Sequence, residues 1–120
     1  MFDFHKLEVY RKSLDFNAGI LALIKNTSID KSIRDQLKRA ALSISLNIAE
    51  GTSRFTKPDR RNFYVISRGS VYECVAILDH MLKVKALEEK QYNSLVSLLE
   101  EISKMLYTLI ERLGTSKVKY

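Results

Sequence analysis

A chain of 120 residues with 46% hydrophobic content is of single-domain size and long enough to bury a core without covalent staples. A single cysteine, Cys74, excludes an intrachain disulfide framework and a thiolate metal cluster, and the sequence holds neither a signal-like apolar run nor a membrane span, so a soluble, reduced, cytoplasmic protein without membrane contact is expected. The net charge is +6, and its whole excess lies in residues 31–68, where nine basic side chains face three acidic ones; this points to a polyanionic partner, against the plainer reading of a solvated basic surface.

One proline and four glycines are too few for many turns, and between them apolar residues recur every three or four positions, which predicts an all-α protein. The first helix is expected over residues 4–26, capped by Asp3, with one stripe of Leu7, Tyr10, Leu14, Ala18, Leu21 and Ile24 and a second of Val9, Phe16, Ile20 and Leu23. The second is expected over residues 31–50, with Asp30 as its cap and Gly51 in the left-handed position that closes a helix. Its core stripe is Ile33, Leu37, Ala40, Ala41, Ile44 and Ile48. The third is expected over residues 57–85, opened by Thr56 and Asp59 in a capping box with Pro58 in the first turn. Gly69 in its interior is read as a mark of close helix–helix approach. The fourth is expected over residues 88–113, stopped by Gly114 and followed by a polar tail. Short loops joining four such helices describe an up-down-up-down antiparallel four-helix bundle forming a single domain over residues 1–120.

Enzyme constellations are sparse. His5 and His80 belong to no ligand spacing, no serine pairs with His and Asp, and Cys74 reads as a small core residue more readily than as a reactive thiol. No catalytic residue, metal ligand or cofactor is therefore expected. What remains is a polar row, Gln36, Ser43, Asn47 and Glu50, beside the apolar stripe of the second helix, with Ser70 and Glu73 on the third. Two readings stay open. The row is a satisfied hydrogen-bond network fixing helix register, or it is a polar subunit interface or ligand groove. A small-molecule site between helices would need Glu73, His80 and Asn47 to line one pocket.

The basic residues Lys38 and Arg39, then Arg54, Lys57, Arg60 and Arg61 around the second turn, are the candidate phosphate contacts. Phe55 and Tyr64 interleave with them, either to stack on unpaired bases or, for Phe55, to plug the end of the bundle. No helix-turn-helix or zinc-finger spacing supports base readout.

The run DQLKRAALSISLNIAEGTSRF, followed by FYVISRGSVYEC, resembles the four-helix bundle family named after proteins encoded in 23S rRNA intervening sequences. The matching positions are Gln36, Leu37, Lys38, Arg39, Ala40, Ala41, Ser43, Ile44, Asn47, Ile48, Ala49, Glu50, Gly51 and Arg54, then Gly69, Ser70 and Glu73, and the likeness covers residues 2–113. Two departures stand out: NTSID replaces a Phe-Pro between the first two helices, and Ile66, Ser67 and Arg68 replace an Ile-Ala before the Gly-Ser. The resemblance implies a homo-oligomer, a pentameric ring, and no catalytic activity. The related accessory variability proteins of diversity-generating retroelements are basic pentamers that bind nucleic acid. Two functions follow as expectations: a non-enzymatic oligomer that binds RNA or DNA through its basic surface, or a scaffold module without nucleic-acid binding.

Overall fold

The computed structural model describes residues 1–114. A 3-10 turn, Asp3–Lys6, is followed by α1 (Glu8–Lys25), α2 (Lys31–Thr52), α3 (Lys57–Lys83) and α4 (Glu89–Gly114), with no strand among the described residues. α2 packs on α3 and α3 on α4, while α1 lies against α2 and α4, so the four helices form a bundle in sequential order. The polar tail at residues 115–120 lies outside the described residues.

The core is filled from all four helices. Phe16 and Ile20 meet Leu37, Ile44 and Ile48, then Leu78 and Met81, then Leu99, Ile102 and Leu106, all fully buried. Each such side chain contributes about 1.5–3 kcal/mol relative to exposure. On α1 the buried stripe is the second one, Val9, Phe16, Ile20 and Leu23, joined by Ser13, whose hydroxyl donates to Tyr10 O at 2.6 Å. Leu14, Ala18 and Leu21 of the first stripe are exposed.

The ends of the helices correct several expectations. The first helix does not run unbroken from residue 4: Leu7 is extended, with φ −81° and ψ 125°. The break lets Phe4 pack edge-on against Tyr10, at 4.8 Å between ring centroids, and Arg11 Nη1 donates to His5 O at 2.9 Å. Asp3 lies inside the 3-10 turn rather than capping a helix. Asp30 holds the N-cap position of α2, but its carboxylate makes no capping bond; its carbonyl accepts from Arg34 N at 3.0 Å. Gly51 does not close α2 in a left-handed conformation. It is helical, and a Cβ there would stand 2.9 Å from Phe63 Cβ and 3.2 Å from Arg60 O. Gly51, not Gly69, therefore permits the close approach of α2 to α3: at Gly69 an added Cβ would meet nothing within 4 Å.

Thr56 caps α3 as expected, accepting from Asp59 N at 3.3 Å. α3 ends at Lys83, and the chain reverses through Lys85 at φ 61°. Ala86 N donates to Met81 O at 2.8 Å and Lys85 N to Leu82 O at 3.0 Å. This is the pair of bonds of a Schellman motif, with lysine where glycine is usual. Gly114 is the last residue of α4, set against the Arg61 side chain.

Candidate nucleic-acid interface

The turn between α2 and α3 is short and internally fastened. Ser53 N closes the end of α2 on Ala49 O and Glu50 O, each at 3.2 Å, and Thr56 opens α3 three residues later. Between them Arg54 pairs with Glu50 and lays its guanidinium over the Phe63 ring, 4.6 Å from the centroid. Arg60 Nε donates to Arg54 O at 2.6 Å. Arg54 and Arg60 thus hold the turn in shape as well as charging it. Lys57 and Arg61 are exposed beside them. Phe55 is 98% exposed at the tip, so it does not plug the end of the bundle. Tyr64 is buried, and its hydroxyl shares a 2.8 Å hydrogen bond with Thr52 Oγ1, so it is closed to stacking.

Lys38 and Arg39 stand apart from this turn. They lie about 20 Å down α2 at 1.5 Å per residue, in a groove with Asn17, Leu21, Asp35 and Leu42 between α1 and α2. Leu14, Leu21, Leu42 and Leu46 are each between 44% and 57% exposed along these two helices. Asp35 is paired with Lys31 at 2.7 Å, a hydrogen bond that lowers its carboxyl below the usual range.

The polar row divides. Ser43 Oγ and Ser70 Oγ share a hydrogen bond of 2.8 Å, and Asn47 Nδ2 donates to Ser43 O and Ser43 Oγ, both at 2.9 Å. Gln36 and Glu73 are exposed, and among the described residues neither hydrogen-bonds to this group. Glu50 belongs to Arg54. Two further links in the same seam escaped sequence reasoning: Ser67 Oγ donates to Ile44 O at 2.8 Å, fully buried, and Thr52 meets Tyr64 as above. Hydroxyls at helical spacing were visible in the sequence, but the partner across the seam was not. His80 is exposed on α3, away from Asn47's partners, and Cys74 is buried, with burial pushing its thiol up to about 12. Such a thiol stays protonated and unreactive near neutral pH.

A second cationic feature was also missed. Arg68 of α3 lies between Tyr72 on its own helix and Tyr107 on α4, its guanidinium carbon 5.1 Å and 5.5 Å from the two ring centroids. Its Nη2 donates to the Tyr72 hydroxyl at 3.2 Å and its Nε to Ser103 O at 3.3 Å. The step from Arg68 to Tyr72 is legible at i, i+4; the meeting with α4 is tertiary. Among the described residues no three His, Cys, Asp or Glu side chains gather as metal ligands, and no helix is long and apolar enough to cross a membrane.

No curated protein matches this chain. A solved structure from Bacteroides thetaiotaomicron, a protein with unknown function from the S23 ribosomal protein family, is similar in fold, with a TM-score of 0.82 at 27% identity over 86% of this chain and 98% of that one. The family model for 23S rRNA-intervening sequence protein matches residues 5–108. With a match over most of its length, this chain belongs to the family of 23S rRNA-intervening sequence proteins.

Proposed function

We propose that this protein is a non-enzymatic RNA-binding module that works as a homo-oligomer in the cytoplasm, five copies being the number its resemblance implies. The observation that carries the RNA reading is Phe55. It is 98% exposed on a turn that Arg54, Lys57, Arg60 and Arg61 surround. Nothing in the fold gains from an exposed phenylalanine there. A polyanion carrying unpaired bases does, because cations contact its phosphates while the ring stacks on a base. The exposed leucines of α1 and α2 support self-association, since a monomer would leave all four against water.

The test is a salt titration of binding to RNA, DNA and an uncharged control, with Lys57→Glu/Arg61→Glu and Phe55→Ala variants. These leave the Arg54–Glu50 pair and the Arg60–Arg54 bond in place. Affinity should fall as salt rises, with a shallower slope in the charge-reversed variant. Affinity indifferent to salt, or to the charge reversal, refutes the RNA reading. Sedimentation that finds only monomer refutes the oligomer.

A further inference from the structure

We propose that the groove between α3 and α4 beside Arg68 binds the unpaired bases of single-stranded RNA, as a second stacking surface continuous with the basic turn; this rests on the RNA-binding reading above. The groove holds about 470 Å³ and is lined by Arg61, Val65, Arg68, Gly69, Tyr72 and Tyr107, with Ile110 and Glu111 completing it.

Three observations carry the assignment. First, Tyr72 is 58% and Tyr107 52% exposed, and both rings border a guanidinium held in place by two hydrogen bonds. The guanidinium lies over both rings and fixes them, and the ring surface that stays exposed suits the stacking of bases. Second, Gly69 sits in the interior of α3, where glycine costs about 1 kcal/mol relative to alanine. No neighbour in the fold collects that cost, because an added Cβ would meet nothing within 4 Å. The bare backbone instead leaves room for a flat group to lie against the helix. Third, Arg61 belongs both to this groove and to the basic turn. Arg61 and Arg68 are two helical turns apart, about 10 Å at 1.5 Å per residue. With Arg61 at the turn end of the groove and Arg68 set between the two rings, the array matches a strand that leaves its phosphates on the arginines and its bases on the tyrosines.

Charge chooses this side of Arg68. Here two arginines face one carboxylate, Glu111. On the other side Arg68 and Lys104 are balanced by Asp79 and Glu100, which favours no polyanion. A strand is therefore drawn toward the turn and its Phe55.

The experiment measures binding of a labelled 12-mer oligouridylate, an abasic strand of the same length and a duplex RNA, to the wild type and to Tyr72→Ala/Tyr107→Ala and Tyr72→Phe/Tyr107→Phe variants. Both tyrosines are more than half exposed, so the fold survives either change, and circular dichroism checks it. The alanine pair should weaken oligouridylate binding roughly tenfold or more. Binding to the abasic strand should not change, and the phenylalanine pair, which keeps both rings but gives up the bond from Arg68 to the Tyr72 hydroxyl, should restore most of the affinity. If the wild type binds RNA and the alanine pair binds oligouridylate equally well, the groove assignment falls while the RNA reading stands. If the wild type binds no RNA, both fall. If the alanine pair loses self-association in sedimentation and keeps its RNA affinity, the groove belongs to a second copy of the chain, and the assignment is overturned.

Discussion

Replacing Gly51 by alanine is expected to destabilise this protein, although the same change in most helix interiors does the reverse. The new Cβ would stand 2.9 Å from Phe63 Cβ, 3.1 Å from Tyr64 Cε1 and 3.2 Å from Arg60 O. Carbon atoms rest about 3.5–4.0 Å apart, so α2 and α3 would have to separate by roughly 0.5 Å or more. Little can yield. Phe63 Cβ and Arg60 O are fixed by the α3 backbone, and the Tyr64 ring is buried and tied through its hydroxyl to Thr52. Overpacking of this kind costs about 1–3 kcal/mol, while alanine returns about 1 kcal/mol of helix propensity. Contacts this short against atoms that cannot yield put the cost in the upper half of that range, so the net loss is about 1–2 kcal/mol, or a fall in Tm of about 3–10 °C for a domain of this length. Urea unfolding followed by circular dichroism at one fixed protein concentration reads this directly, because self-association would otherwise move the midpoint. A Gly51→Ala variant as stable as the wild type, or more so, would refute the close packing of α2 on α3 as the reason for glycine.

Gly69→Ala, by contrast, should raise stability by about 0.5–1 kcal/mol, since its Cβ would enter open space in a helix interior; a loss in the same urea experiment would contradict that. Lys85→Gly should also stabilise, by about 0.5–1 kcal/mol, because the residue stands at φ 61° where a side chain is strained; Lys85→Ala should not match it. Ser67→Ala removes a buried hydroxyl and orphans one acceptor site on Ile44 O, at an expected cost of about 1 kcal/mol, measured against Ser53→Ala at the exposed turn. The Cys74 thiol, ordinarily near 9.0, is pushed by burial to about 12, so between those values the folded chain keeps a proton that the unfolded chain loses. Stability should then fall with rising pH by about 1.4 kcal/mol per unit through this window. The margin of the wild type over Cys74→Ala should narrow accordingly between pH 9.5 and 10.5, and an unchanged margin would contradict the burial of the thiol.

The helices were legible because apolar spacing needs only the chain itself. α2, α3 and α4 fall within two residues of their expected ends. α1 carries two apolar stripes, and the pattern alone could not decide which one the neighbours would cover; Phe16 and Ile20 went inward and Leu14 and Leu21 outward. The close approach expected at Gly69 falls at Gly51 for the same reason. Whether a glycine serves its own backbone or the helix beside it depends on a distance to another element. The basic turn could be read because its cations are contiguous, from Arg54 to Arg61. Tyr107 could not be read beside Arg68, since 39 positions of sequence separate them and only the α3–α4 packing brings them together.

The hydroxyl bonds of the α2–α3 seam act as a vernier. Ser43 to Ser70, Ser67 to Ile44 O and Thr52 to Tyr64 are set along about 13 Å of α2 at 1.5 Å per residue, and all three close at one axial offset. Apolar surfaces alone would tolerate a slip of one turn, about 5.4 Å; these bonds would all be lost by it. The Arg54 turn at the end of α2 is thereby held at a fixed offset from Arg68 on α3, and a strand bound as proposed would meet one set spacing.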